Sequence, residues 1–327
     1  MRTLLKITGG IILVVVVAAV AGLTYLKTAL PNIDAPSDLQ VERTNERIEH
    51  GEYLANNVMS CMHCHSPQQK TKFAHPAYPD SLGAGGTHYG PEEGIPGHLY
   101  TPNITPAGIG DWSDGELYRA ITSGVSKDGR PLFPLMPYLN YSQMAKEDIY
   151  SVIAYLRTLY PIENEVPASE LAFPMNFIVH TIPAPPQHQP APDTANPVAW
   201  GKYLVTAASC ADCHTPKEQG ADIPGMEFAG GMEFPMIDGS TARTANITPD
   251  VKTGIGSWDE KAFIKRFKDY ADTSFVFDEV AHGQFNTAMP WKNYSQMGDK
   301  ELKAIYAYLQ TVVPVQNEIV KFTPVNQ

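Results

Sequence analysis

The sequence predicts a mostly helical protein: two tandem copies of one domain behind an N-terminal transmembrane helix. Three observations predict it. The pentapeptide Cys61-Met62-His63-Cys64-His65 is echoed as Cys210-Ala211-Asp212-Cys213-His214, and the two copies use every cysteine in the chain. Short motifs recur in the same order after each pentapeptide. Finally, Ile7 to Leu26 is an uncharged apolar run of 20 residues, long enough to span a bilayer.

The apolar run follows Arg2 and Lys6, so the positive-inside rule puts the N-terminus in the cytoplasm and everything after Leu26 outside. A cleaved secretory signal is the competing reading, because Ala19-Val20-Ala21 resembles a cleavage site. Either way the body of the protein is exported. The expected divisions are an anchor at 1–28, a short tether at 29–44, a first domain at 45–160, a Pro-rich linker at 161–197 and a second domain at 198–327. The linker holds nine prolines in 37 positions and an apolar stretch, Phe173 to Ile182, expected to pack on a domain. Each copy is expected to fold alone, with few contacts crossing between them.

Within each copy a helix leads to the pentapeptide. Gly51-Glu52-Tyr53-Leu54 matches Gly201-Lys202-Tyr203-Leu204, and the small glycine suits a close helix crossing. Asn196 and Pro197 read as N-cap and first helical residue of the second such helix. Residues 66–102 are rich in Pro and Gly and predict irregular chain with a short hairpin. Asn103-Ile104-Thr105-Pro106 recurs as Asn246-Ile247-Thr248-Pro249, and Trp112 and Trp258 follow in like settings. Ser113 with Glu116 forms a capping box, and a partner helix begins near Asp259. Closing helices are expected at 145–159 and 298–312, each stopped by proline, Pro161 and Pro314. The offset between copies drifts from 149 at the cysteines through 143 and 146 to 153. That is the mark of small loop insertions between fixed elements.

Cys-x-x-Cys-His reads as a c-type haem attachment site. The two thiols can each add to a haem vinyl group, and the histidine supplies the proximal imidazole, giving Cys61, Cys64 and His65 in one copy and Cys210, Cys213 and His214 in the other. A redox dithiol would sit early in a βαβ pattern, and a four-Cys zinc site would need a second cysteine pair nearby, which Cys64 lacks. Two covalently bound haem c groups are therefore expected. The sixth iron ligand falls to a recurring methionine. Met144 and Met297 sit just before a helix start, spaced to form a hydrophobic staple with Ile149 and Leu302. Met136 and Met289, each followed by proline, have no such structural explanation and are the expected axial ligands. His75, His88, His98 and His282 have no counterpart in the other copy, and His63 lies inside the attachment loop.

A net charge of −11 argues against nucleic acid as a partner and is compatible with a basic redox partner. The duplicated haem site, Asn-Ile-Thr-Pro loop, Gly-Ile-Gly, Met-Pro and terminal Tyr-Leu together resemble the class I dihaem cytochrome c family. They look most like the membrane-bound cytochrome c subunits of bacterial alcohol and aldehyde dehydrogenases, which typically carry three haem domains where this chain has two. The resemblance covers about residues 45–320. It implies two tandem cytochrome c domains on the periplasmic side of the bacterial inner membrane, single-pass, with Asn103, Asn246, Trp112 and Trp258 near the haem propionates. Turn chemistry and core packing are the other reading of those four. Function is expected to be electron relay between a donor (a dehydrogenase or a quinol-oxidising complex) and an acceptor such as a terminal oxidase. An enzyme of the dihaem cytochrome c peroxidase type would need one iron with an open sixth position. A redox sensor would need a signalling domain on the cytoplasmic side.

Overall fold

The computed structural model describes residues 2–272 and 275–325. Helix α1 (Arg2–Ala29) has no buried residue, and it is long and apolar enough to cross a membrane. The chain after it does not hang free. Val41 N donates to the Asp114 carboxylate (2.9 Å), and Arg119 reaches the Ile33 carbonyl (3.2 Å). Gly115 makes room for this strap, since a Cβ there would lie 1.9 Å from Pro36 O.

The first half contains α2 (Asn45–Tyr53), α3 (Cys61–Cys64), α4 (Pro106–Ile109), α5 (Asp114–Ser123), α6 (Tyr138–Tyr141) and α7 (Lys146–Leu156). A further turn, α8 (Met175–Ile178), lies in the Pro-rich stretch. The second half contains α9 (Pro197–Ala207), α10 (Cys210–His214), α11 (Glu260–Lys268), α12 (Trp291–Tyr294) and α13 (Asp299–Leu309). The start signals act as expected. Ser113 Oγ accepts from Glu116 N (3.1 Å) while Glu116 accepts from Ser113 N (2.7 Å). Asn196 accepts from Ala199 N and Asp259 from Ala262 N. One element was not legible: α2 passes into a π-turn, Leu54–Val58, whereas α9 stays α-helical throughout.

Both closing helices end three residues short of the expected limit. At each end a threonine tightens the last turn. Thr158 N and Oγ1 both donate to Tyr155 O, and Thr311 N and Oγ1 both donate to Tyr308 O.

Each half is held by one helix crossing, α2 on α7 and α9 on α13. Gly51 and Gly201 set the distance, because a Cβ would fall 1.8 Å from Ser151 O or from Ala304 O. Around these crossings lies a common apolar core that includes Val58, Ile149, Ile153, Leu204, Leu302 and Leu309. The expected hairpin is β1 (His88–Tyr89) with β2 (Gly97–Tyr100), extended by β3 (Glu170–Leu171). The second half has a ribbon of β4 (Lys217–Glu218) and β5 (Ala221–Asp222). It also has a three-stranded sheet of β6 (Glu233–Pro235), β7 (Thr241–Arg243) and β8 (Phe322–Thr323). In both halves the chain beyond the closing helix thus returns to pair with its own half.

Many contacts cross between the halves, contrary to expectation, and they are reciprocal. Tyr53 OH donates to the Glu301 carboxylate and accepts from Gly298 N (3.1 Å) at the start of α13. Tyr203 OH donates to the Asp148 carboxylate and accepts from Ala145 N (3.0 Å) at the start of α7. Each leading helix therefore caps the closing helix of the other half. Phe73 N donates to Asp278 O (3.0 Å), and Val280 N to Thr71 O (2.9 Å), adding a loop-to-loop seam.

Candidate functional site

The two pentapeptides take the same shape. Each opens on a serine in the left-handed region, Ser60 with φ 51° and Ser209 with φ 54°, which turns the chain sharply before one helical turn carrying both cysteines. None of the four cysteines forms a disulfide. Burial pushes the Cys61 and Cys210 thiols up to about 12, so both are protonated near neutral pH.

The histidines are oriented by their surroundings. His65 Nδ1 donates to Pro102 O at 2.9 Å, and His214 Nδ1 donates to Ala245 O at 2.7 Å. That bond fixes the tautomer and leaves each Nε2 with a free lone pair, as a metal-binding imidazole requires. Burial draws both groups below their ordinary range against the opposing pull of the carbonyls, so both are neutral near pH 7. The donor set in each half, two thiols and one oriented neutral imidazole on a single turn, fits covalently held haem. Among the described residues no group of three or more His, Cys, Asp or Glu side chains is arranged to hold a metal ion.

Met136 and Met289 are half-buried and share one backbone device. Tyr138 N donates to Met136 O (2.8 Å) and Trp291 N to Met289 O (2.7 Å), with Pro137 and Pro290 at φ −80°, ψ 50° and φ −76°, ψ 63°. This is an inverse γ-turn, held by the proline ring, and it presents the methionine on a rigid corner. Met144 and Met297 are instead 1% exposed, beside the fully buried Ile149 and Leu302. They occupy the staple position ahead of α7 and α13.

Asn103 and Asn246 are engaged in turn chemistry. Asn103 Oδ1 accepts from Thr105 N (2.9 Å) and Oγ1 (2.7 Å), and its Nδ2 donates to Ile162 O (2.7 Å). Asn246 repeats this with Thr248 and Val315 O. The asparagines thereby brace the loop whose carbonyls at Pro102 and Ala245 hold the histidines. Trp112 packs against the core, while Trp258 remains 37% exposed.

Two features escaped the sequence reading. Gly85 N donates to His65 O (2.8 Å) and Gly230 N to His214 O (2.7 Å). Both glycines have positive φ, and a Cβ on either would lie 2.4–2.5 Å from the backbone of the asparagine loop. The signal was present: Ala84-Gly85-Gly86 recurs as Ala229-Gly230-Gly231. Ser66 and Thr215, each following the histidine, accept from Gly83 N (3.0 Å) and Phe228 N (3.2 Å). A serine matched to a threonine leaves little trace in sequence.

Residues 198–312 match the family model described as Cytochrome c. The chain is 30% identical, over 67% of its length and 49% of the relative's, to an alcohol dehydrogenase (quinone) cytochrome c subunit of Gluconacetobacter polyoxogenes. It is 30% identical, over 81% of its length and 59% of the relative's, to a gluconate 2-dehydrogenase cytochrome c subunit of Pantoea cypripedii. A protein of Cereibacter sphaeroides named diheme cytochrome c-type is 29% identical, over 67% of this chain and 73% of the relative. The chain spans about half the length of the first two relatives.

Proposed function

We propose, from the match of residues 198–312 to the Cytochrome c family model, that the whole chain is a membrane-anchored dihaem cytochrome c that relays electrons. In this reading residues 45–160 are a second cytochrome c domain, duplicated in tandem with 198–327. Cys61, Cys64 and His65 hold one haem, and Cys210, Cys213 and His214 hold the other. Met136 and Met289 are the sixth ligands. The observation that carries it is the matched pair of histidines, each with Nδ1 bound to a loop carbonyl and Nε2 left free.

Haem bound at these sites supplies a one-electron carrier whose potential a thioether ligand raises. The residues of the chain do the rest. The γ-turns hold each methionine at a fixed place, from which its thioether would complete the ligands of a bound haem iron and shut out small molecules. The attachment loops meet at the seam between halves. Burial first, then the Cys61 thiol and the Tyr294 hydroxyl of the other half, hold the Tyr141 hydroxyl well above its usual range. With α1 as a single-pass anchor, the haem domains face the periplasm. The donor is a dehydrogenase, as the names of the relatives suggest, and the acceptor is a respiratory one such as a terminal oxidase.

Purification from native membranes in mild detergent tests the partner: a dehydrogenase subunit should co-elute and reduce the cytochrome on addition of its substrate. A chain that elutes alone and is reduced by no such enzyme contradicts it. Met136→Ala and Met289→Ala test the ligands. Each should remove about half of the Met-to-ferric-iron charge-transfer band, whereas Met144→Ala and Met297→Ala should leave it intact.

A further inference from the structure

We propose that the segment from Leu171 to Ile182 is a second membrane contact, a surface that rests in the lipid headgroup boundary beside the end of α1. The proposal rests on the reading of α1 as a transmembrane anchor. α8 and the following turn, Val179–Thr181, pack against α1. His180 Nδ1 donates to Leu30 O at 2.8 Å, one residue beyond the helix, and Val179 beneath it is buried. The segment is thus fixed where the chain leaves the apolar run.

What it turns outward is apolar. Phe173 is 74% exposed and Ile178 43%, with Pro174 between them also exposed. Phe177 stands edge-on to Phe173 at 6.2 Å. An unpartnered patch of this kind beside a membrane helix has one natural cover, the lipid into which that helix continues. Charge points the same way. The chain carries −11, yet residues 171–192 contain no Asp, Glu, Lys or Arg. An acidic body would be repelled by an anionic headgroup surface, and this is the stretch that would not be. Tyr25 and Lys27 in the last turns of α1 are the residue types that settle at the same level. Two contacts, one spanning and one lying on the surface, would hold the body at a fixed tilt, where a single helix leaves it free to swivel.

The test uses the full haem-loaded chain in phospholipid vesicles, with a photo-reactive benzophenone side chain replacing Phe173 and, in a second sample, Phe285 of the second half. The expected result is a lipid adduct at 173 and none at 285, lost again at 173 when Ile178→Glu is added. Carbonate washing separates the two readings. A chain retained by the vesicles but unlabelled by lipid at 173, or cross-linked there to a second copy or another protein, overturns the surface contact and spares the anchor. A chain released by carbonate yet labelled by lipid at 173 overturns the anchor and supports the contact. Release without label overturns both.

Discussion

The two halves agree where the haem would sit and differ where it would not. Both have the glycine crossing, the histidine-to-carbonyl bond, the asparagine turn and the Met-Pro γ-turn. Around this shared frame the partners change. In the first half Arg157 is buried on Asp114 (side chains 9% and 11% exposed) and also donates to Ile109 O. The equivalent place in the second half holds Gln310, whose Nε2 is buried without a partner. His50 of the first half faces Asp148 at 2.7 Å, whereas Trp200 of the second stacks on Tyr203 at 5.5 Å. Tyr138 is fully buried, while its counterpart Trp291 lies under the Arg266 guanidinium at 4.3 Å. The shared constraints are thus those that holding a flat cofactor between a histidine and a loop would impose. The packing behind it can be solved by an ion pair or by an amide.

The largest expected difference between halves comes from that pair. Asp114→Asn takes the counter-charge from a buried guanidinium and should cost about 3 kcal/mol, the lower end for breaking a buried pair because Arg157 keeps its carbonyl acceptors. Gln310→Met removes an unsatisfied amide and should be neutral or stabilising by about 1 kcal/mol. Denaturant midpoints check both, and equal losses would erase the contrast. The glycine crossing should instead behave alike in the two halves. Gly51→Ala and Gly201→Ala must each separate two helices, at about 3 kcal/mol, the upper part of the range for overpacking. Tolerance of one and not the other would break the symmetry.

The reciprocal tyrosines give a smaller, graded effect. Tyr203→Phe leaves the Asp148 carboxylate, which is 12% exposed, short of a donor and should cost about 2 kcal/mol. Tyr53→Phe leaves Glu301 still accepting from Gly298 N (2.7 Å) and should cost about 1 kcal/mol. Smallest is a pH effect confined to the first half. The hydrogen bond to Asp148 raises the His50 pKa above its ordinary 6.5, so this contact stabilises the fold most at acid pH. The contribution fades as pH rises through the raised value. His50→Gln should therefore lower the thermal midpoint slightly near pH 5.5, with the gap to wild type closing in mildly alkaline buffer.

Much of this was legible in the sequence because it is local. Caps at Ser113 and Asn196, the helix start near Asp259 and the staple methionines are read from neighbours within one turn, and the crossing glycines from their recurrence in both copies. The cysteine pentapeptide is legible because covalent haem attachment would fix such a spacing. The π-turn at Leu54–Val58 was not, since no residue type marks it. Nor were the seam between halves and the strap at Val41, whose partners lie 55 positions or more away in the chain. Pro-rich composition suggested a free linker. It cannot report that β3 pairs back onto β2 or that His188 bonds Tyr118 (2.6 Å) and Met144 O (2.5 Å).

The central claim is that both halves, and not only the family-matched residues 198–312, carry haem under the same ligands. Counting haem against protein in the purified full chain, with the spin state of each iron, tests it most directly. Two haems per chain are expected, both low-spin and six-coordinate, neither binding carbon monoxide when reduced. A single haem held by the second half, or an iron in either half that takes up carbon monoxide stoichiometrically, contradicts it.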